Sequence, residues 1–125
     1  MSQGSTALAW AGVAVGGGLG AVLRFVVDGA VTRPRGRGLP LGTLVVNLSG
    51  ALVLGILDGL VLPEHLALVV GTGVIGSYTT FSTWVFETQR LAEERQLWWA
   101  LGNVALSLAA GIGAAVLGLR IGGGP

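Results

Sequence analysis

The stretch GTGVIGSYTTFSTW, residues 71–84, decides the fold of this chain, because it puts glycines and hydroxyl residues in the middle of an apolar span. Glycine weakens a helix by about 1 kcal/mol relative to alanine, and serine and threonine side chains compete for backbone hydrogen bonds. We therefore predict a break in a membrane-spanning helix, with freed carbonyls that can bind a hard cation. The alternative is a kinked helix that binds nothing.

The sequence on either side of this stretch is typical of an integral membrane protein. Of its 125 residues, 52 % are hydrophobic and 10 % are charged, and the mean hydropathy is +0.79. A helix needs about 20 apolar residues to cross the hydrocarbon core. We predict an all-α fold of one domain, residues 1–125, with four spans at about residues 6–31, 41–62, 64–91 and 97–119 and a disordered tail at 120–125.

The distribution of arginine predicts the orientation in the membrane. Short cytoplasmic loops are enriched in lysine and arginine. The side of the first and third loops carries five arginines, against Arg120 on the opposite side, so we predict that these loops are cytoplasmic and both termini external. The five are Arg33, Arg35, Arg37, Arg90 and Arg95. A cleaved signal peptide is disfavoured, because the first span lacks a basic leading segment and contains Arg24 and Asp28.

Composition also argues against other functional classes. The net charge of +1 gives no basis for binding nucleic acid, which requires a basic face. Cysteine is absent, so thiolate metal sites are excluded. His65 is the only histidine. The glycine-rich run at 16–20 lacks the strand and the lysine of a nucleotide-binding loop. We predict that the protein is not an enzyme.

Polar side chains inside the apolar spans are the candidate functional residues, because an unpaired polar group in hydrocarbon is costly. They share helical spacing within each span. They are Thr43 and Asn47 in the second span, Thr80, Thr83 and Glu87 beside Phe81 and Trp84 in the third, and Asn103 and Ser107 in the fourth. Hydroxyls beside ring edges suit an anion path. The alternatives are polar ties between helices, and aromatic rings that serve only packing or interfacial anchoring.

Three motifs in order resemble those of the Fluc (CrcB-type) fluoride channels of bacteria. They are GGLGAVLRF at 17–25, GTLVVNLSG at 42–50 and GVIGSYTTFST at 73–83, which resemble the family patterns GGxxGAxxRY/F, GTLxVNxxG and GxxGxxTTFST. The match extends over all four spans. The resemblance implies an antiparallel dimer in the cell membrane that passes fluoride passively out of the cytoplasm and so lowers intracellular fluoride.

The resemblance also implies roles for individual residues. The carbonyls of Gly76 and Thr79 are expected to hold a structural Na⁺ where two subunits meet, and Arg24 is expected to attract anions at the pore mouth. The fluoride path and its polar track are expected to include Thr43, Asn47, Thr80, Phe81, Ser82, Thr83, Trp84, Glu87 and Ser107. Two positions depart from the family pattern: Trp84 replaces the second pore phenylalanine, and Asn103 replaces a frequent tyrosine.

Other interpretations stay open at this point. A protein that inserts in both orientations normally carries similar numbers of lysine and arginine residues on the two sides of the membrane. This chain has five arginines on one side and one on the other. The partner is therefore either a second copy or an oppositely oriented paralogue. A small dimeric proton-coupled exporter would use Glu87 or Asp58 as its titrating carboxylate. A non-conducting membrane scaffold would use its polar stripes only for assembly.

Overall fold

The computed structural model describes residues 2–31 and 38–124, and in them all regular structure is helical. The elements are α1 Gln3–Val31, α2 Leu41–Leu60, α3 Glu64–Leu66, the π-helix Ala67–Ile75, α4 Gly76–Tyr78, α5 Ser82–Glu93 and α6 Leu97–Ile121. Four segments are long and apolar enough to cross a membrane: 3–31, 41–60, 64–93 and 97–121. The prediction of an all-helical, multi-pass membrane protein with four spans is confirmed. Three arginines of the predicted bias, at 33, 35 and 37, lie outside the described residues.

The last helix continues beyond the point where the sequence predicted a disordered tail. Helix α6 ends at Ile121, and the N–H groups of Gly122 and Gly124 donate to the carbonyls of Gly118 and Leu119 at 2.9 and 2.8 Å. A Cβ on Gly122 would collide with the backbone of Ile56. Residues 120–124 therefore form a helix end that packs against α2, because glycine lets the two backbones approach closely. Pro125 lies outside the described residues.

Helices α2 and α6 form the most extensive helix pair. A Cβ on Gly55 would collide with the carbonyl of Ala115, and one on Gly118 would collide with the carbonyl of Leu52. Small residues allow such close approach, which strengthens packing where no water is available to be expelled. Gly111 lies one helical turn after Ser107 and so on the same face of α6. A Cβ on Gly111 would nevertheless have no neighbour within 4 Å. The contact between these helices therefore runs through Gly118.

The third span is divided between two partner helices. In its first half, the π-helix and α4 pack along α1, whereas α5 packs against α6. Gly20 of α1 faces the carbonyl of Val74, and a Cβ on Gly73 would lie 3.2 Å from the backbone of Val13. Residues 79–81 therefore join a half that packs on α1 to a half that packs on α6. The candidate functional residues lie around this junction.

Candidate functional site

The backbone changes conformation between α4 and α5. Helix α4 ends at Tyr78, and Thr79 is extended, with φ −80° and ψ 161°. The N–H of Thr80 donates to Oδ1 of Asn47 at 2.8 Å. In a continuous α-helix this N–H would bond to the carbonyl four residues earlier, at Gly76. The side chain of Asn47 thus takes the place of the helical acceptor.

A second diversion affects the carbonyl of Thr79. In an unbroken helix its donor would be the N–H of Thr83, but that N–H donates to Oγ1 of Thr80 at 3.2 Å. Val85 N–H in turn donates to the carbonyl of Phe81 at 3.0 Å, in the first turn of α5. The Thr80 hydroxyl therefore satisfies one of the N–H groups in the first turn of α5. The two carbonyls that the resemblance assigned to sodium, at Gly76 and Thr79, have both lost their helical donors.

The side chain of Asn47 is fixed by a pair of hydrogen bonds to one residue. Its Nδ2 donates to the carbonyl of Thr80 at 2.8 Å, while its Oδ1 accepts from the Thr80 N–H at 2.8 Å. This pairing sets which end of the amide is nitrogen. An asparagine amide has two N–H donors, so one of them is left for another acceptor.

The start of α5 suits a negative charge. The Thr80 hydroxyl accepts from Thr83 N–H through its oxygen, and its proton has no acceptor among the described residues. The N-terminus of a helix carries a partial positive charge and unpaired N–H groups. Donors without competing acceptors are what an anion requires when it leaves water.

Most of the predicted pore residues line one open groove of about 380 Å³, which we call the groove. It lies between α2, the junction of the third span and α6. Its predicted lining residues are Asn47, Gly76, Thr79, Thr80, Phe81, Trp84 and Ser107. The ring centroids of Phe81 and Trp84 lie 5.6 Å apart at an interplanar angle of 56°. The groove therefore combines hydroxyl and amide donors, tilted aromatic rings and the two freed carbonyls.

A smaller cavity of about 160 Å³ lies between α1, α2 and the start of α5, and we call it the arginine cavity. Among its lining residues are Arg24, Asp28, Thr43, Thr80 and Thr83. Arg24 and Asp28 follow each other by one helical turn on α1, so the cavity contains charges of both signs. Thr80 lines the groove as well as this cavity. It therefore marks the point where the two spaces adjoin.

Glu87 of α5 is bonded to Thr43, which lines the arginine cavity. Thr43 is 3 % exposed, and its hydroxyl donates to the carboxyl of Glu87. The structure thus brings Glu87 against α2 through a threonine donor. Ser82, predicted as part of the polar track, is exposed at the start of α5 and lines neither space.

A chain of hydrogen bonds behind the groove includes one residue that the sequence analysis missed, Thr88. Asn103 is 1 % exposed, and its Nδ2 donates to Oγ1 of Thr88 at 2.9 Å. The Thr88 hydroxyl donates to the carbonyl of Trp84 at 2.8 Å, and the Ser107 hydroxyl lies 3.5 Å from Oδ1 of Asn103. The position of Thr88 one turn after Trp84 could have indicated it. This chain ties α5 to α6 immediately beside the predicted pore residues.

Replacing Thr43 with valine is expected to destabilise the protein by about 1 kcal/mol, because Glu87 would lose a donor inside a packed interface. Thermal unfolding of purified protein in detergent measures the change. Thr6→Val is the matched control, because the Thr6 hydroxyl donates only to the carbonyl of Ser2 at the start of its own helix. Equal melting temperatures for the two variants would contradict a structural role for the Thr43–Glu87 bond.

Comparison with known proteins gives consistent matches over nearly the whole chain. The family model described as "CrcB-like protein, Camphor Resistance (CrcB)" matches residues 11–119. A Mycolicibacterium paratuberculosis protein named "Fluoride-specific ion channel FluC 2" is 58 % identical over 117 residues, which cover 94 % of this chain and 96 % of the relative. The FluC 2 protein of Mycobacterium tuberculosis (strain ATCC 25618 / H37Rv) is 53 % identical over 117 residues, which cover 94 % of this chain and 93 % of the relative. "Fluoride-specific ion channel FluC 1" of Thermobifida fusca is 46 % identical over 106 residues, which cover 85 % of this chain and 88 % of the relative.

Proposed function

Because the chain belongs to the CrcB family, we propose that it is a subunit of a fluoride-specific ion channel in the cell membrane. Fluoride leaves the cytoplasm passively through it, so that intracellular fluoride falls. The observation that carries this proposal is the groove, in which side-chain donors and two aromatic rings surround the N-terminus of α5. The function is transport and not catalysis.

Different residues act at successive stages of the anion's passage. Arg24 raises the local anion concentration in the arginine cavity. Thr80 lines both spaces, so its free hydroxyl proton serves an ion that passes between them. In the groove, Asn47 and Ser107 replace lost water, and the positive ring edges of Phe81 and Trp84 face the anion. A narrow path whose donors fit a small ion excludes chloride.

Passive movement requires no nucleotide and no titrating group. Fluoride enters a cell as HF from acid surroundings and ionises inside. The negative interior potential then drives the anion outward, at about 2.3 kcal/mol per charge for each 100 mV. The carboxyls of Glu87 and Asp58 have no required protonation step in this scheme.

We also propose that Gly76 and Thr79 hold a structural Na⁺ through their backbone carbonyls. Both carbonyls fit the ion, because the N–H groups that would occupy them in a helix donate to Asn47 and to the Thr80 hydroxyl instead. Unwound carbonyls at membrane depth are common sodium ligands. Two oxygens from one chain form only part of a cation shell. A second subunit that contributes the same two carbonyls would bring the number of oxygen ligands to four.

Exchanging sodium for N-methyl-D-glucamine at constant ionic strength is expected to lower the melting temperature of the dimer. An ion that binds only the folded state stabilises it by mass action, and the large organic cation cannot enter a site made of carbonyls. Light scattering during a thermal ramp measures the shift, with potassium as the size control. Identical melting temperatures in sodium and in the organic cation would remove the sodium proposal.

The proposed assembly is an antiparallel dimer, with the groove of each chain covered by its partner. The arginine bias favours a single orientation for this chain, so an oppositely oriented paralogue is the expected partner and a second copy is the alternative. Accessibility of terminal tags in intact cells, with the chain expressed alone, separates the two. A functional dimer with tags on both sides would establish the homodimer.

Fluoride efflux from proteoliposomes tests the central proposal. Efflux that proceeds without a proton gradient, and that chloride does not replace, supports the channel. Efflux that depends on a proton gradient supports the exporter, with Glu87 or Asp58 as the titrating carboxylate. No efflux from vesicles that contain the dimer supports the scaffold.

A further inference from the structure

The arginine cavity contains a carboxyl group that the proposed passage of fluoride does not use. Asp28 lines this cavity together with Arg24. The two residues lie four positions apart on α1, so their side chains share one face of the helix. Among the described residues that line the cavity, Arg24 is the one cation and Asp28 the one carboxyl. The attraction of the arginine for anions is therefore opposed within the same space.

A second carboxyl group adds to this opposition from another helix. Glu87 of α5 accepts from the hydroxyl of Thr43, which lines the cavity. Glu87 also interacts electrostatically with Asp28. One carboxyl from α1 and one from α5 thus lie near the single guanidinium. An anion that enters this cavity meets a weaker attraction than Arg24 alone would provide.

We propose that Asp28 limits the accumulation of fluoride in the arginine cavity by offsetting the charge of Arg24. Asp28 thereby raises the fluoride concentration at which the channel is half-saturated. This inference rests on the proposed function and adds a residue that controls entry. An ion beside Arg24 lies about one helical turn, roughly 6 Å, from Asp28. At the dielectric constant of water, a unit charge at that distance changes the local concentration of an anion about threefold.

A purely structural role for Asp28 predicts a different result. If the carboxylate served only to orient Arg24, its replacement would let the guanidinium leave the cavity, and anion accumulation would fall. If Asp28 acts through its charge, accumulation rises when the charge is removed. A charge effect is also screened by salt, because the Debye length falls from about 30 Å at 0.01 M to about 3 Å at 1 M.

The absence of cysteine from the sequence allows the anion concentration to be measured at one chosen position. Ala21 lines the arginine cavity, so Ala21→Cys places a single thiol there. Iodoacetate and iodoacetamide are similar in size, and only iodoacetate carries a negative charge. Both alkylate the same thiolate, so the ratio of their rates cancels any change in thiol ionisation. The ratio therefore reports how strongly the cavity collects an anion.

The measurement uses the full-length protein in lipid nanodiscs, with Ala21→Cys as the reference. Adding Asp28→Asn is expected to raise the ratio of iodoacetate to iodoacetamide rates about threefold at an ionic strength of about 0.01 M. The rise should disappear at about 1 M salt. Asp28→Glu retains the charge and should retain the reference ratio. Asp58→Asn is the matched control, because Asp58 is exposed and lies outside the groove and the arginine cavity.

Flux assays in proteoliposomes connect this potential to transport. Asp28→Asn alone, without the cysteine, is expected to lower the half-saturating fluoride concentration about threefold and to leave the maximal flux unchanged. The maximal flux depends on the groove, which Asp28 does not line. A half-saturating concentration that stays at the wild-type value would overturn the inference.

The alkylation results separate this inference from the function on which it rests. A raised ratio in a protein that does not conduct would retain the electrostatic role of Asp28 and remove the channel. Fluoride efflux with an unchanged or lowered ratio in Asp28→Asn would retain the channel and overturn the role of Asp28. A thiol at position 21 that neither reagent reaches would overturn it too, because anions could not then enter the cavity from water.

Discussion

Asn47→Asp is expected to reduce fluoride flux by at least about a hundredfold. The aspartate has no N–H donors, so it cannot donate to the Thr80 carbonyl, which lies 2.8 Å from Nδ2 of the native side chain. Its carboxylate would face that carbonyl and would place a negative charge on the anion path. Two like charges about 4 Å apart repel by about 4 kcal/mol at the effective dielectric constant of a partly buried site.

Fluoride-electrode recording of efflux from proteoliposomes measures this loss. Asp58→Asn is the matched control on the same helix, because it makes the reverse exchange at an exposed position that lies outside the groove and the arginine cavity. It is expected to leave flux unchanged, and it also tests the carboxylate of the exporter alternative. Wild-type flux through an intact Asn47→Asp dimer would exclude Asn47 from the path.

The second large effect is expected from the α2–α6 contact. Gly118→Ala should lower stability by about 3 kcal/mol, because its methyl group would collide with the Leu52 carbonyl and backbone cannot move aside as a side chain can. The helices would have to separate. The separation would also disturb the wall of the groove that Ser107 and Asn47 form.

Gly111→Ala is the control for this change on the same helix. A Cβ at Gly111 has no neighbour within 4 Å, and alanine favours a helix over glycine by about 1 kcal/mol. This variant is therefore expected to unfold at or above the wild-type temperature in detergent. If Gly118→Ala unfolds together with Gly111→Ala, the close approach of α2 and α6 is not what stabilises the bundle.

The fold class and the family could be predicted from the sequence for simple physical reasons. Crossing a bilayer requires about 20 apolar residues, so the four apolar stretches of that length, separated by short polar connections, predicted four spans. The prediction of the CrcB family rested on three ordered motifs, and the family model and the relatives confirm it. The residue roles that came with the family stay predictions.

Other features depend on geometry that helical spacing does not give. Spacing grouped Asn47 with a polar face, but the pair of bonds to Thr80 depends on how two helices are set against each other. Gly111 and Gly118 are indistinguishable as residue types, although only Gly118 meets another backbone. The order of residues 120–124 was missed because a glycine-rich end reads as unstructured, whereas here the lack of side chains permits close packing.

The bonds between Asn47 and Thr80 have a thermodynamic consequence if both ions bind as proposed. The same extended backbone that frees the carbonyl of Gly76 sets the Thr80 hydroxyl and the start of α5. A cation that stabilises this backbone would therefore organise the anion site. Linkage is reciprocal, so fluoride would change the affinity for sodium by the same factor as sodium changes the affinity for fluoride. A structural ion would then act as an effector of the permeant one.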